Sequence, residues 1–307
     1  MASLAPLQAQ LASLHAYIPP LLTPVHPHFP FPLVDIFGAM RLSSVVNWMA
    51  TDAFAPPEPA TNGTGNGTSE KPSSGKKSVK SKSKPRASVL QECFGILVVV
   101  FGGETFLAMC SGTTPSWLVS PKVPLLFSLI HIVQTRTPLR QLLPSRPSLA
   151  VELPLAIPDA IGRALLLTRF SIVPLLHAPK PSLPLTPTSL VLTPFILAVP
   201  FASIIFSATS FFSPTPKLDT PAELKPWGWT AVDSWLPVVV PALFLSLIGP
   251  VNGWPTGLGW SEDAGVIACV IFTVVAFVAR AVYNFGHKKE QWTELLLVPE
   301  SKKIKTA

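Results

Sequence analysis

The sequence predicts an all-α integral membrane protein with seven transmembrane helices, arranged as two inverted three-helix repeats plus a final helix. Three observations predict it: an apolar composition with little charge, seven stretches long enough to cross a bilayer, and lysine and arginine concentrated on alternate connections. Of the 307 residues, 48 % are hydrophobic and only 13 % are charged, and the mean hydropathy is +0.45. Residues Pro187–Pro216 carry no charge at all. A soluble surface of this size needs more charge than that. The 36 prolines agree, because in membrane helices neighbouring helices and Ser/Thr side chains satisfy the carbonyls that a proline frees.

Crossing a bilayer takes roughly 20 apolar residues. The stretches that supply them are 30–52, 88–110, 116–134, 149–171, 188–212, 231–250 and 263–284. The third and fourth are the weakest, interrupted by Lys122 and by Glu152, Asp159, Arg163 and Arg169. Charge sets the threading. Loops 53–87, 135–148 and 213–230 and the tail beyond 285 hold 17 lysines and arginines, against two (Lys122 and Lys180) on the other side. The positive-inside rule then places the N-terminus outside or lumenal and the C-terminus in the cytosol, which requires an odd number of crossings. The expected organisation is a lumenal arm (1–29), a first repeat (30–134) containing a basic cytosolic loop (53–87), a second, inverted repeat (149–250), a seventh helix (263–284) and a basic cytosolic tail (285–307).

Residues Thr61–Lys84 are a low-complexity Gly/Ser/Thr/Lys segment, expected to be disordered. Asn62 and Asn66 lie in N-x-T sequons there. Glycosylation would require an extracellular loop, whereas the seven basic residues argue for the cytosolic side and a chance match. A net charge of +7 and a pI near 9.5 raise nucleic acid as a partner. The basic residues form no aromatic-studded face, however, so anionic lipid of the inner leaflet is the expected partner. Cys93, Cys110 and Cys269 sit in apolar stretches without metal-ligand spacing and read as small hydrophobes. The first thirty residues lack a basic n-region and a clear A-x-A site, so no cleaved signal peptide is expected.

The chain also resembles itself. Ser116-Trp117-Leu118 and Ser128-Leu129-Ile130 recur as Ser234-Trp235-Leu236 and Ser246-Leu247-Ile248. Pro32-Leu33 with Arg41 recurs as Pro154-Leu155 with Arg163, and Val99-x-Phe101-Gly102-Gly103-x-x-Phe106 as Val199-x-Phe201-Ala202-Ser203-x-x-Phe206. Stretches one to three thus pair in order with four to six. Three crossings per copy is odd, so the copies are inverted, an architecture of transport proteins with the functional path near the midplane between them.

Within that frame, Gly102-Gly103 allows either close helix packing or a mid-span break that exposes carbonyls to water. The neighbouring Glu104 tips the reading toward a path, since a carboxylate at that depth faces a cavity or a cation; Arg163 is its expected partner if the second and fourth stretches pack together. Asp159 and Arg163, at i and i+4, share a helix face. They form either a self-neutralising pair or a polar stripe on a path, with Arg163 also suited to lipid phosphate. Arg41, Asp35, Glu92 and His131 read as interfacial residues near span ends, Arg169 and Arg280 as snorkelling ones. Trp117, Trp235, Trp254 and Trp260 read as belt residues. No G-x-S-x-G, H-E-x-x-H, Gly-rich phosphate loop or Cys/His cluster is present, so the chain does not read as an enzyme and no cofactor is expected.

Cys93-Phe94-Gly95 leading into Phe101-Gly102-Gly103, the Ser116-Trp117-Leu118 stretch with Pro124–Val133, and Asp159-Ala160-Ile161-Gly162-Arg163 in the fourth stretch together resemble the trimeric intracellular cation (TRIC) channels. The resemblance covers roughly residues 30–285. Of the family's Lys-Glu-Val-x-Arg motif only Arg163 carries over; Asp159 stands in place of the lysine, Glu104 in place of a third glycine, and Ala202-Ser203 in place of the second repeat's glycines. The resemblance implies a homotrimer in the endoplasmic reticulum or another endomembrane. Each subunit would pass monovalent, potassium-type cations, with phosphoinositide lipid near the pore. It places Gly102, Gly103, Glu104, Asp159, Ala202 and Ser203 along the path, and Arg163 on the path or on lipid phosphate. A secondary transporter is the main alternative, and a non-transporting membrane scaffold the third.

Overall fold

The computed structural model describes residues 4–27, 29–51, 86–141, 144, 146–179, 183–213, 215–225 and 231–286. The low-complexity segment, both sequons and the basic tail lie outside them.

The arm carries α1 (Ala5–Leu14) and α2 (Pro19–Leu22), each begun by proline in the first turn, where a missing N–H costs nothing. A short antiparallel hairpin of β1 (Pro24–His26) and β2 (Phe29–Pro32) follows, pairing Pro24 with Pro32 and His26 with Phe29. Helices then occupy all seven apolar stretches: α3 (Leu33–Ala50), α4 (Val89–Ser111), α5 (Ser116–Val119) with α6 (Lys122–Arg136), α7 (Leu149–Leu167) with α8 (Ile172–His177), α9 (Pro187–Ala198) with α10 (Pro200–Ser203), α11 (Val232–Ile248) and α12 (Glu262–Phe285).

Local chemistry sets their ends. The Ser88 hydroxyl accepts from the Gln91 N–H to cap α4, which stops at Gly112, whose φ of 66° favours a residue without Cβ. Thr186 and Ser189 form a reciprocal capping box on α9. Ser261 caps α12 through the Ala264 N–H. α4 runs unbroken through Gly102-Gly103; the expected break lies instead in the matching fifth stretch. There Pro200 lacks the N–H that would continue α9, and a π-helical turn (Ile204–Ala208) follows α10.

Packing is organised in threes. α3, α4 and α6 pack on one another pairwise, as do α7, α9 and α11. Across the two groups α3 lies on α7, and α4 on α9 and α10, while α12 packs on α7, α11 and α1. One core joins Leu165, Leu190, Leu236, Phe244 and Cys269; another joins Ala39, Val46, Ile96, Phe127 and Phe212.

Among the described residues, three helical segments, Val89–Ser111, Pro187–Ala208 and Glu262–Phe285, are long and apolar enough to cross a membrane, and Val232–Ile248 is a shorter apolar helix. Only 28 % of the most apolar part of α4 is buried by protein. Leu90, Phe94, Met109, Leu125, Leu129 and Val275 stand exposed. So much uncovered apolar side chain on helices with internally satisfied backbones is what a lipid solvent requires. This is a helical membrane protein.

Candidate functional site

Among the described residues, three constellations of polar side chains stand out in the helical body. At the first, α4 crosses the fifth stretch. A Cβ on Gly103 would lie 2.5 Å from the Leu197 carbonyl oxygen and 2.7 Å from that of Ile196, and one on Gly102 would lie 2.5 Å from the Phe201 ring. The two glycines therefore let the helices approach backbone to backbone, and the sequence alternative of close packing describes the site. Ser203, their counterpart in the repeat, is buried. Its hydroxyl donates to Glu223 Oε2 and lies 3.3 Å from that of Ser207. Ala202 sits beside it, half-buried. Glu104 accepts from the N–H and hydroxyl of Ser116 at the start of α5, while the Trp117 indole donates to Thr105 Oγ1 at 2.9 Å. Glu104 and Arg163 are not brought together.

The second constellation is a ladder of charges along α7. Arg41 reaches from α3 to Glu152 in a two-pronged bond of 2.8 and 2.7 Å, with Asp159 3.8 Å away. Asp159 pairs with Arg163 at 3.4 Å, as the i, i+4 spacing implies. Arg163 also meets Asp233 of α11 at 3.1 Å, and Asp233 takes Arg280 of α12 at 2.5 Å. Both guanidiniums flank the Phe277 ring, Arg280 at 4.1 Å from its centre. Three arginines face three carboxylates, so the ladder is neutral. Such mutual pairing is how charges persist at low dielectric. Arg41 and Arg280 are thus interhelical ties, not the interfacial and snorkelling residues expected of them. Arg163 keeps 38 % of its side chain exposed.

The third constellation escaped sequence reasoning. Glu92 and His131, expected at an interface, are 0 % exposed. Arg86 holds both Glu92 oxygens at 2.6 and 3.2 Å, Arg136 adds a bond of 2.9 Å, and His131 Nε2 lies 3.0 Å from Oε2. The other ring nitrogen of His131 is 3.0 Å from Ser43 Oγ, and Arg86 also donates to Asn47 Oδ1. Beside it a cavity of about 70 Å³ is lined by Ser44, Asn47, Trp48, Gln134 and Pro144. No local pattern announces this cluster, because its members come from α3, α4, α6 and the residues before α4.

At the opposite helix ends, His15 and Arg169 approach Asp263, and His177 pairs with Glu262 at 2.7 Å. Between the fifth and sixth stretches, the Lys225 ammonium and the Thr220 N–H hold the Asp219 carboxyl below the usual carboxylate range. Among the described residues no group of three or more His, Cys, Asp or Glu forms a metal site. The chain matches no family model, no curated protein and no solved structure.

Proposed function

We propose that the chain is a seven-span channel for monovalent, potassium-type cations in an internal membrane. It is built as two inverted three-helix repeats plus a final helix, and the N-terminus is lumenal. The observation that carries this reading is the meeting of repeat mates. Gly102 and Gly103 of α4 seat on Phe201, Leu197 and Ile196 of the fifth stretch, the stretch paired with α4 in the repeat. A two-fold relation between inverted halves brings matching elements together at its axis in this way. Every helix pair within α3, α4 and α6 also has its equivalent within α7, α9 and α11.

The threading is supported by contacts between helix ends. The end of α3 meets the start of α4 through Asn47–Arg86, the end of α6 meets it through Arg136–Glu92, and the end of α12 meets the start of α11 through Arg280–Asp233. Those are the ends that the basic loops place in the cytosol. The path runs where α4 crosses the fifth stretch, past Gly102, Gly103, Ala202 and Ser203. Glu104 keeps its field cation-attracting, while Asp159 is balanced by Arg41 and Arg163, and the exposed part of Arg163 takes the phosphate of anionic lipid, a phosphoinositide by resemblance. Assembly as a homotrimer follows the same resemblance.

Close contact at Gly103 describes a shut path. It fits a gated channel, and it also favours a second reading, a carrier that opens alternately to the two sides. Purified protein in planar bilayers, with potassium and sodium on opposite sides, separates them. A channel gives ohmic cation current, and Glu104→Gln lowers its cation-over-anion preference. A carrier gives saturable uptake without unitary currents. A protein that moves no ions in either assay is a scaffold.

A further inference from the structure

One carboxylate outside every sequence expectation lacks the cationic partner that most of the others have. Glu92, Glu152, Asp159 and Asp233 each face an arginine, and Asp219 faces Lys225. Glu223, in the connection between the fifth and sixth stretches, has no cationic partner among the described residues. Its chain folds back onto the fifth stretch, where the buried Ser203 hydroxyl donates to one of its oxygens. Ser207, one turn on within the π-helical turn, brings a second hydroxyl to 3.3 Å from the first. An ionised carboxylate offers about four acceptor positions, and a single hydroxyl donor leaves most of them open. The nearest lysine in sequence, Lys225, is committed to Asp219 at 2.8 Å.

Position adds a second argument. Ser203 is the repeat mate of Gly103, and Glu104 follows Gly103 directly. Glu104 likewise has no cationic partner among the described residues, its oxygens being held by Ser116 at the far end of α4. The two carboxylates therefore bracket the crossing of α4 and the fifth stretch from opposite ends.

We propose that Glu223, with the hydroxyls of Ser203 and Ser207, forms a binding site for a monovalent cation at the cytosolic mouth of the path. The inference rests on the channel reading above and adds a residue and a side to it. Hard monovalent cations take oxygen ligands, and a single carboxylate raises their local concentration without the tight binding that would block passage.

Glu223→Gln tests it, because the amide oxygen still accepts from Ser203 and so preserves any purely structural latch. In planar bilayers at low ionic strength, the variant is expected to pass potassium from the cytosolic side about two- to threefold less well, the effect of one charge at a solvated mouth. Current from the opposite side stays near wild type, and the difference disappears toward ~1 M salt, where screening removes it. Ser207→Ala, which keeps both the charge and the Ser203 anchor, is expected to lower the same cytosolic-side conductance by a smaller factor, and it carries the test if Glu223→Gln does not fold. Wild-type currents with both variants unchanged at low salt, or reduced equally from both sides, would overturn this site and leave the channel reading standing. A wild-type protein without cation current overturns both.

Discussion

Replacing Gly103 by alanine probes the contact between the two halves most sharply. The added methyl would lie 2.5 Å from the Leu197 carbonyl oxygen, 2.7 Å from the Ile196 oxygen and 2.7 Å from Leu197 Cα, whereas ordinary contact begins near 3.4 Å. All three obstacles are backbone, so relief requires α4 and α9 to separate by about 0.9 Å (3.4 less 2.5), and a gap of that size forfeits a quarter to a half of the dispersion attraction along the contact. The cost is that of overpacking a filled interior, about 1–3 kcal/mol. Gly102→Ala meets the Phe201 side chain, its Cβ at 2.9 Å included, and is expected to cost less because none of these nearest atoms is backbone. Gly162→Ala meets Val34 Cγ1 at 3.4 Å and serves as a near-neutral control on α7. The assay is the thermal midpoint of the monodisperse peak in mild detergent, compared at one heating rate because membrane-protein unfolding is commonly irreversible. The predicted order of loss is Gly103, then Gly102, then Gly162. Wild-type stability in Gly103→Ala, or an equal loss in Gly162→Ala, refutes the close crossing.

Two further perturbations address the charge clusters. Glu92→Ala leaves Arg86 and Arg136 without their shared carboxylate, and is expected to destabilise by about 3–5 kcal/mol in a denaturant titration. Arg136→Ala, which removes a 31 % exposed side chain, costs clearly less. On the α7 ladder, Arg41→Met and Glu152→Leu should each destabilise, while the double variant recovers much of the loss, because no buried charge then lacks its partner. Strict additivity of the two would contradict a direct pair.

What could be read from the sequence was what depends on neighbours along the chain. Apolar runs located all seven helical stretches, and α4 falls within a residue of its expected ends. Proline explains the fifth stretch only in part. The sequence left close packing and a mid-span break both open at Gly102-Gly103, with Glu104 favouring a path. Leu197 and Phe201 pack against the bare backbone there, and the helix continues. The third stretch divides at Ser120-Pro121 and the fourth near Thr168, so each is two helices. The charge clusters stayed hidden for a different reason. Glu92, His131 and Arg136 sit on two helices, the partners 39 and 44 positions apart in sequence, and nothing local distinguishes a buried tie from an interfacial residue. Asp159 with Arg163 was legible because one helical turn joins them. Glu223 lay in a connection read only for its lysines, and its role depends on the chain folding back to Ser203.

The threading itself is the most direct test, because two inverted halves require each connection to fall on a defined side. With Cys93, Cys110 and Cys269 replaced, single cysteines at Thr114, Arg140, Leu218 and Leu258 are treated with an impermeant thiol reagent in sealed microsomes whose cytosolic face is outward. The account predicts that Arg140→Cys and Leu218→Cys label at once, and that Thr114→Cys and Leu258→Cys label only after permeabilisation. Immediate labelling of Leu258→Cys together with Leu218→Cys would leave α11 without a crossing and contradict the seven-span inverted repeat.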